Sequence, residues 1–554
     1  MSKAGEIPVR KRFPYRRPPE LDAASPRRLK LLIVGGGPIG LTAALDLAQR
    51  GYEIVLLNKL DIVADGSKAL CFSKRTLEVY DRLGVGERLV REGVAWNLGK
   101  VFWGDRAEPI YEFTMLPIPD QKNPGFINLQ QFYLEEYLLD ALAAFPNVDI
   151  RWRNEVIGVE QRRDHVEVRV DTPDGAYTLA AEYVLACDGS KSPIRGMLGL
   201  DFEGKVFEDN FLIADVRFEQ ERPTERWFWF SPPFPGESAL LHKQPHGVWR
   251  LDFQLGWNID RDEAVKPENV APFVEGMIGK DVPYSFEWLS IYTFQCRRMA
   301  RFLHDRILFA GDAAHLVSPF GARGANGGVA DVENLVWKLD LVLKGAAPRA
   351  LLESYDDEAT TIADVNILNS TRSTEFITPK SRTSRALRDA VLGLAQTHAF
   401  ARPFVNSGRL ATAVATPRSP LNTPDDESWR GGVAPGTPAI DARLGDQEWL
   451  LAHLHNGVTL LALNLPGPAI ARARALARDL ADISAVRFVS LRDTGASSLA
   501  ERYDAAGGAL YLVRPDQYVA ARWKTVDEAK VRLALKRLLG HMLVAEGARY
   551  EAVA

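Results

Sequence analysis

The clearest candidates for a ligand-binding role form a glycine-rich turn near the amino terminus. Gly35, Gly37 and Gly40 occupy the glycine positions of a G-x-G-x-x-G pattern, and Pro38 and Ile39 lie between the last two glycines. The first glycine permits a tight turn, the second lets a pyrophosphate approach the backbone, and the third permits close packing of a helix on a strand. Free N–H groups at the start of the following helix favour phosphate. The turn therefore predicts a dinucleotide-binding site.

The segments that flank this turn predict a βαβ unit. An apolar run precedes the glycines, residues 41–51 show helical spacing that ends at Gly51, and a second apolar run follows at 52–58. The second strand ends at Asn58 and Lys59, where such units normally carry an acid that binds the adenosine ribose. Asn58 can accept a hydrogen bond there without the help of a negative charge, so we expect a weaker ribose contact.

Two further strand ends carry an aspartate. One strand runs into Asp188, and a short apolar strand at 308–310 runs into Gly311 and Asp312, followed by a glycine-punctuated turn at 318–327. An aspartate at such a place can accept hydrogen bonds from ligand hydroxyls, and the N–H groups of the next helix can bind an electron-rich ring edge. Each turn alone is common, but the three in this order and spacing are specific.

Composition narrows the class of protein. The chain has 554 residues, 46% of them apolar, and 68 basic against 72 acidic residues, which excludes a strongly basic nucleic-acid protein and a disordered chain. The longest uncharged apolar stretch, 31–45, contains four glycines and a proline, so no membrane span is expected. Cys71, Cys187 and Cys296 form no CxxC pair, which favours a reduced, cytoplasmic protein without a metal site.

Three segments together carry a family resemblance: GGGPIG, ACDGSKSPIR and GDAAHLVSPFGARGANGG. They resemble the class A FAD-dependent aromatic hydroxylases, the p-hydroxybenzoate hydroxylase fold group. Members related to 3-(3-hydroxyphenyl)propionate and phenol hydroxylases are most similar in layout, because they carry an additional C-terminal thioredoxin-like domain. The implied fold class is α/β: a Rossmann-like FAD-binding domain interleaved with a mostly antiparallel β-sheet substrate domain, followed by a thioredoxin-like α/β domain.

The resemblance and the changes in composition predict six segments along the chain. They are a flexible basic arm at 1–28, an FAD-binding domain with inserted strands at 29–200, a β-sheet substrate domain at 201–300, the completion of the FAD-binding domain with helices at 301–410, a proline-rich linker at 411–438, and the thioredoxin-like domain without redox cysteines at 439–554. The arm either packs across a partner subunit or is a simple disordered tail.

The resemblance also implies which residues bind FAD, tightly but without a covalent bond. Asp312 would bind the ribityl chain, the backbone at Ala325 and Asn326 would contact the isoalloxazine, and Lys68 would replace an arginine near the phosphates, which keeps the charge but loses the bidentate fork. The complete predicted cofactor set is Gly35, Gly37, Pro38, Ile39, Gly40, Asn58, Lys59, Lys68, Gln131, Asp188, Gly311, Asp312, Gly324, Ala325 and Asn326.

On the substrate side, the resemblance implies His242, Arg250 and Pro319 as catalytic residues. Predicted substrate-binding residues are Trp229, His242, Gln244, Gln254 and Pro319. Gln244 stands where a related enzyme binds a substrate carboxylate with arginine, so we do not expect a simple benzoate to be held in that way. His242 either deprotonates or hydrogen-bonds a phenol, or it is a structural histidine in a strand.

The implied reaction is the hydroxylation of a phenol. The sequence holds one G-x-G-x-x-G and no CxxxxC pair, so a disulfide reductase of related fold is excluded and oxygen is left as the oxidant of a reduced flavin. By resemblance, NAD(P)H is the co-substrate that reduces FAD, O2 adds at flavin C4a, and the hydroperoxide transfers OH to the ring. Two alternatives stay open: a same-fold monooxygenase that performs epoxidation, Baeyer–Villiger insertion or dehalogenation, and a flavin-binding scaffold without turnover. A homodimer without nucleic-acid or membrane partners is expected.

Overall fold

The computed structural model describes residues 11–63, 68–115, 119–405, 411–455, 457–493 and 498–543. Across these ranges, no helix combines the length and the apolar character that crossing a membrane requires. The elements of the first 200 residues are β1 (Arg27–Val34), α1 (Pro38–Gln49), β2 (Ile54–Asn58), β3 (Cys71–Ser73), α2 (Lys74–Arg82), α3 (Gly86–Glu92), β4 (Leu98–Trp103), β5 (Tyr111–Thr114), β6 (Phe126–Asn128), α4 (Gln131–Leu142), β7 (Val148–Trp152), β8 (Glu155–Gln161), β9 (Val166–Thr172), β10 (Gly175–Ala186) and α5 (Pro193–Met197).

The remaining elements divide into a strand-rich middle and a helical and mixed carboxyl-terminal part. The middle contains β11 (Glu203–Phe218), β12 (Glu225–Phe230), β13 (Ser238–Lys243), β14 (Val248–Gly256), α6 (Arg261–Ala264), α7 (Pro267–Ile278), β15 (Tyr284–Arg298), β16 (Leu303–His304), β17 (Ile307–Phe309) and β18 (His315–Leu316). The carboxyl-terminal part contains α8 (Gly324–Leu343), α9 (Glu353–Ile377), α10 (Arg382–Thr397), α11 (Arg402–Val405), β19 (Arg443–Gly445), β20 (Glu448–Trp449), β21 (Val458–Leu463), α12 (Gly467–Asp479), β22 (Val486–Leu491), α13 (Leu499–Arg502), β23 (Ala509–Val513), β24 (Val519–Trp523) and α14 (Glu528–Leu538).

The first sheet has the strand order β16-β17-β10-β1-β2-β7, with β9 and β8 paired in turn beside β10. Its central strands are parallel and read as continuous apolar runs because helices cover both faces. Val34 at the end of β1 pairs with Leu57 of β2 and Ala186 of β10, and Ala186 pairs with Phe309 of β17. The three predicted cofactor turns therefore leave the sheet side by side at one edge.

The second sheet has the order β18-β15-β11-β14-β13-β12-β4-β5 and is antiparallel except where β12 pairs with β4. Its outer face packs against α7 through a core that includes Leu251, Phe253, Val270 and Val274. Because side chains alternate along a strand, the even-numbered residues of β14, such as Arg250, point to the opposite, inner face. This inner face faces the edge of the first sheet.

Residues 11–28, which the sequence analysis assigned to a flexible arm, instead lie along the first sheet. The Phe13 ring stacks on Trp152 of β7 with 4.2 Å between ring centroids. The buried Glu20 carboxylate accepts hydrogen bonds from Arg151 at 2.8 and 2.9 Å. These partners lie more than 130 residues away in the sequence, so local composition could not reveal them. The first ten residues of the predicted arm lie outside the described residues.

The carboxyl-terminal unit is a four-stranded sheet of order β22-β21-β23-β24. β21 and β22 are parallel and connected through α12, whereas β23 is antiparallel to both of its neighbours. Trp337 of α8 belongs to the core of this unit, together with Leu421 of the predicted linker. The linker thus packs onto the unit, and the thioredoxin-like assignment of its fold stays a prediction.

Candidate active site

A cavity of about 750 Å³ lies between the edge of the first sheet and the inner face of the second sheet. It is lined by residues of all three cofactor turns and by residues of the antiparallel strands. Of the predicted site residues, the structure brings together here Gly35, Gly37, Pro38, Ile39, Asn58, Lys59, Lys68, Gln131, Asp188, His242, Arg250, Asp312, Pro319, Gly324 and Ala325.

The glycine turn has the geometry that the sequence pattern predicts. Gly35 has φ +112°, and a Cβ atom there would lie 2.1 Å from the Cys187 carbonyl oxygen. A Cβ atom at Gly40 would lie 1.9 Å from the Gly35 carbonyl oxygen, so this glycine lets α1 pack on the turn rather than line the cavity. Around Gly37, by contrast, a Cβ atom would meet no protein atom within 4 Å. The backbone at Gly37 is therefore open to a ligand.

Asn58 supports the turn as well as lining the cavity. Gly36 N donates a hydrogen bond to Asn58 Oδ1 at 3.2 Å, and Asn58 Nδ2 donates to the Leu60 carbonyl oxygen at 3.3 Å. Gln131 at the start of α4 similarly accepts a hydrogen bond from Ala69 N at 3.0 Å. Both side chains thus position cavity walls through their own hydrogen bonds.

The two aspartates of the other turns differ in their local partners. Asp188 Oδ2 accepts hydrogen bonds from Ser192 Oγ at 2.8 Å and Ile194 N at 3.1 Å, whereas its buried Oδ1 has no partner among the described residues. Asp312 lines the cavity. Its side chain is exposed to the interior of the cavity, and protein encloses it on the other sides. Desolvation raises the pKa of both carboxyls above the usual range, and hydrogen bonds donated by a ligand would offset this cost of burying the charged form.

Gly311 and Asn326 do not line the cavity but hold its wall. Gly311 N donates to Asp331 Oδ2 at 2.8 Å, and a Cβ atom on Gly311 would lie 2.8 Å from the Ile39 side chain. Asn326 Oδ1 accepts from Ser73 N at 2.9 Å, while its Nδ2 donates to the Cys71 carbonyl oxygen at 2.9 Å. Asn326 therefore ties the start of α8 to β3.

His315, beside Asp312, also has a supporting position. Its Nε2 lies 2.7 Å from Asp331 Oδ2. Burial opposes protonation of this ring, but the adjacent Asp331 carboxylate raises the pKa of His315 above its usual value. The same Asp331 carboxylate thus fixes both the Gly311 backbone and the His315 ring behind the turn.

A row of charged side chains crosses the inner face of the second sheet. Arg226 of β12 pairs in register with His242 of β13, which pairs with Arg250 of β14, which pairs with Asp215 of β11. Asp252, two residues further along β14, accepts a hydrogen bond from Arg250 Nε at 2.9 Å. The Arg250 guanidinium holds the pKa of the Asp252 carboxyl well below its usual range despite burial. The row brings two cations and a histidine to one wall of the cavity.

His242 is buried and electrically neutral in this row. Burial lowers its pKa to about 4, and the nearby Arg226 charge adds to the effect. Its Nε2 lies 3.5 Å from Asp252 Oδ2, longer than a good hydrogen bond, and Nδ1 has no partner among the described residues. At neutral pH the imidazole is therefore a ring with an available acceptor nitrogen next to two guanidinium groups.

The rest of this end of the cavity is apolar and aromatic. Phe211, Phe294 and Phe320 contact one another with ring centroids 4.4 to 5.6 Å apart, and all three line the cavity. Leu240 and Pro319 extend this surface. The arrangement suits a planar aromatic ligand with one polar edge against the charged row.

Three predicted substrate residues do not line the cavity. Trp229 lies on the outer face of the second sheet, where it stacks on Phe102, because alternation along β12 turns it away from Arg226. Gln244 lies past the end of β13 and is fully buried. Gln254 accepts a hydrogen bond from Ser238 Oγ at 2.9 Å, at the far end of β14 from the cavity. Their substrate contacts stay predictions that this placement does not support.

The cavity-lining residues that the sequence did not predict include Arg226, Asp252, Tyr292 and Cys71. Arg226 and Asp252 could have been found from His242 and Arg250 by strand alternation combined with the pairing of β12, β13 and β14. The sequence alone does not state that register. Cys71 lies in a short strand with no motif.

FAD fits the residues present. The uncapped start of α1, the open backbone at Gly37 and the charge of Lys68 suit phosphates. The unpartnered Oδ1 of Asp188 and the cavity-facing Asp312 offer acceptors for ligand hydroxyl groups. The cavity is lined both by Asn58 and Lys59, which follow β2, and by Pro319 and Ala325 around the start of α8, so it reaches the separate segments that a dinucleotide must contact.

This chain is similar in sequence and in fold to several known proteins. The chain is 28% identical over 378 residues, 67% of each protein, to 3-(3-hydroxy-phenyl)propionate/3-hydroxycinnamic acid hydroxylases of Escherichia coli O139:H28 (strain E24377A / ETEC) and Shigella sonnei (strain Ss046). Its fold matches the flavin-dependent monooxygenase PieE in complex with FAD and substrate (TM-score 0.77, 23% identity, 93% of this chain and 100% of that chain). It also matches aklavinone-11 hydroxylase with FAD and aklavinone (TM-score 0.74, 22% identity, 93% and 99%). The model of the FAD binding domain family matches residues 28–370, and the chain belongs to this family.

Proposed function

We propose that this protein is a single-component FAD-dependent monooxygenase that hydroxylates a phenolic aromatic compound with NAD(P)H and O2. One observation carries the proposal: the cavity lined by the three cofactor turns is also lined by His242, Arg250 and Pro319. These residues lie together with the aromatic side chains of Phe211, Phe294 and Phe320 in a part of the cavity that we call the aromatic chamber. The relatives named as 3-(3-hydroxy-phenyl)propionate/3-hydroxycinnamic acid hydroxylases, and the fold shared with aklavinone-11 hydroxylase, support the reaction type. FAD, when bound, supplies the reduced flavin that activates oxygen.

The charged row is suited to activating a phenol. His242 is neutral at pH 7, because burial lowers its pKa to about 4, so its ring can accept a hydrogen bond from a phenol hydroxyl. The positive charges of Arg226 and Arg250 favour the phenolate over the neutral phenol. Asp252 anchors Arg250 and keeps the guanidinium in place. An electron-rich ring results, which is what an electrophilic oxygen donor needs.

The aromatic chamber has a second role, which is to exclude water. Phe211, Phe294 and Phe320 form an apolar wall, and Leu240 is buried beside them. The oxygen activation that bound FAD would supply is sensitive to water, so a dry wall would protect the productive reaction. The chamber therefore positions the ring and preserves the oxidant.

The test is a screen of substituted phenols and phenolic acids with the purified FAD-loaded protein. A substrate is expected to stimulate NADH or NADPH oxidation and oxygen uptake, and to yield a product with one added oxygen and an intact ring. A product with an epoxide, an inserted ester oxygen or a lost halogen would instead assign the alternative same-fold chemistry. Protein that retains FAD but shows no ligand-stimulated oxidation with any compound would contradict the proposal.

Two further parts of the proposal concern the protein's state in the cell. The three cysteines are free and buried, which suits a reducing compartment, and we place the protein in the cytoplasm. We also propose a homodimer with FAD held tightly and without a covalent bond. Light scattering of the FAD-loaded protein, and release of the flavin by acid, test these points.

A further inference from the structure

A second cavity, of about 520 Å³, lies between the proline-rich linker and the end of the carboxyl-terminal unit. Its walls come from linker residues between Pro417 and Asp425, from Ala434 and Pro435, and from the last turn of α14 and the residues that follow it, up to Leu543. None of these residues lines the cavity of the candidate active site. The linker cavity is therefore a separate place, which neither the cofactor nor the proposed reaction uses.

Two arginines bring positive charge to the linker cavity. Arg418 is exposed, and Arg537 donates a hydrogen bond to the backbone carbonyl oxygen of Asn422 at 3.3 Å. Neither guanidinium forms an ion pair with a carboxylate in the described part of the chain. Asp425, which also lines the cavity, is instead paired with Arg522, which donates to it at 2.7 and 3.0 Å. The cavity thus carries two positive charges that an anion can balance.

The side-chain amide of Asn422 adds an unused hydrogen-bond acceptor. Asn422 lines the cavity and is 6% exposed, and its Nδ2 donates to the Thr416 carbonyl oxygen at 2.8 Å. Its Oδ1 has no hydrogen-bond partner within the described ranges. A buried acceptor without a donor is costly, and a hydroxyl or amino group of a ligand would offset this cost.

Prolines make up much of the remaining wall. Their rings supply apolar surface, and their fixed φ angles restrict the backbone, so the cavity keeps its shape before a ligand binds. These residues are Pro417, Pro420, Pro424 and Pro435.

We propose that the linker cavity binds an organic phosphate monoester of the size of a nucleoside monophosphate. Two guanidinium groups match the charge of such a phosphate, which is about −1.5 to −2 at neutral pH, whereas a carboxylate carries a single negative charge. The proline walls suit a planar organic body, and Asn422 Oδ1 accepts a hydrogen bond from its hydroxyl or amino group. This site does not depend on the proposed hydroxylase function.

Isothermal titration calorimetry of the FAD-loaded protein, in which the cofactor site is filled, measures the binding of AMP, adenosine and inorganic phosphate. AMP is expected to bind about tenfold or more tightly than adenosine, which lacks the anion, and than phosphate, which lacks the organic body. Arg418→Gln and Arg537→Gln should each weaken AMP binding about tenfold. Arg537→Lys, which keeps the charge but loses the planar fork, should give an intermediate affinity.

The matched control is Arg532→Gln, which removes an arginine of α14 that pairs with Asp482 at 2.9 Å, outside the cavity. It should leave the affinity for AMP unchanged. Because Arg418 is exposed, its substitution tests the site without disturbing the packing of α14. The proposal is overturned if AMP binds no more tightly than adenosine, or if neither Arg418→Gln nor Arg537→Gln weakens AMP binding, which would place the nucleotide elsewhere on the protein.

Discussion

The two walls of the cavity use different physical means to receive a ligand. The edge of the first sheet receives a ligand with its backbone. Gly35 leaves no room for a Cβ atom, and the space around Gly37 is open. The inner face of the second sheet offers side chains, a cross-strand row in which His242 lies between Arg226 and Arg250. The first wall depends on chain geometry, and the second depends on which residues the strands place opposite one another.

This difference separates what is common to the family from what is particular to this chain. A backbone site of glycines recognises phosphates and a ribityl chain that every FAD presents. A side-chain site can change its specificity by single substitutions without disturbing the strands that carry it. Changes at the first wall should therefore abolish cofactor binding, whereas changes at the second should alter the reaction with the cofactor retained.

The largest effect is expected from Gly35→Ala. The new Cβ atom would lie 2.1 Å from the Cys187 carbonyl oxygen at a φ of +112°, so the turn cannot keep its shape. Purified variant should contain essentially no FAD, measured as the ratio of flavin to protein absorbance. Gly393→Ala, in α10, where an added Cβ atom would meet no neighbouring heavy atom within 4 Å, is the control and should keep full flavin content. Normal flavin content in Gly35→Ala would refute the backbone account of the first wall.

A smaller effect is expected from His242→Ala, which addresses the second wall. It should lower the rate of hydroxylation about 100-fold at pH 7 with flavin content unchanged, because a positioned hydrogen-bond acceptor for the phenol hydroxyl is lost. The deficit should shrink as the pH approaches about 10, where phenols ionise on their own. Rates of product formation across pH 6–10 give the profile. His398→Ala, at an exposed histidine after α10, should match the wild type, and a pH-independent deficit would make His242 a structural residue.

The sequence predicts the first wall far better than the second for a physical reason. The glycine turn and the aspartate turns are local: each is read within about ten residues, and parallel strands bring their carboxyl ends to one edge. The placement of Arg226 and Asp252 depends instead on the register of three strands. A shift of one residue turns every side chain to the other face. Trp229 is an example: it was predicted to contact the substrate but lies on the outer face. Both faces of β12 are apolar, so the sequence does not distinguish the inner face from the outer one.

Long-range contacts explain why the structure also differs from the flexible arm that the sequence predicts at the amino terminus. The packing of Phe13 and Glu20 on β7 depends on Trp152 and Arg151, whose proximity no local pattern encodes. A segment rich in proline and arginine is typical of a flexible arm, and only the partners supplied by the folded sheet order it.

Asp312→Ala tests whether the first wall binds FAD through a carboxylate as well as through its backbone geometry. Loss of the carboxylate acceptor should weaken FAD binding about tenfold or more, measured by titration of apoprotein with FAD. Desolvation raises the pKa of Asp312 in the folded protein, so its contribution to folding is largest at low pH and is lost as the pH rises through that pKa. The apoprotein of the variant should therefore be no less stable than the wild type at pH 7, judged by urea unfolding.

The matching control for Asp312→Ala is Asp446→Ala, which removes an exposed carboxylate from the turn between β19 and β20. It should leave both FAD affinity and unfolding unchanged. Unaltered FAD affinity in Asp312→Ala would remove this carboxylate from the cofactor site.

The smallest effect is expected at Gln244, where sequence resemblance and structure disagree about the second wall. Its amide is fully buried, and neither amide atom makes a hydrogen bond within the described residues. Gln244→Met keeps the size of the side chain and removes the unsatisfied amide, so the free energy of unfolding should rise by about 1 kcal/mol. Since Gln244 does not line the cavity, kcat/KM for the best phenol should stay within about twofold of the wild type. A large fall in kcat/KM with unchanged urea unfolding would place Gln244 against the substrate and move the polar wall away from β12.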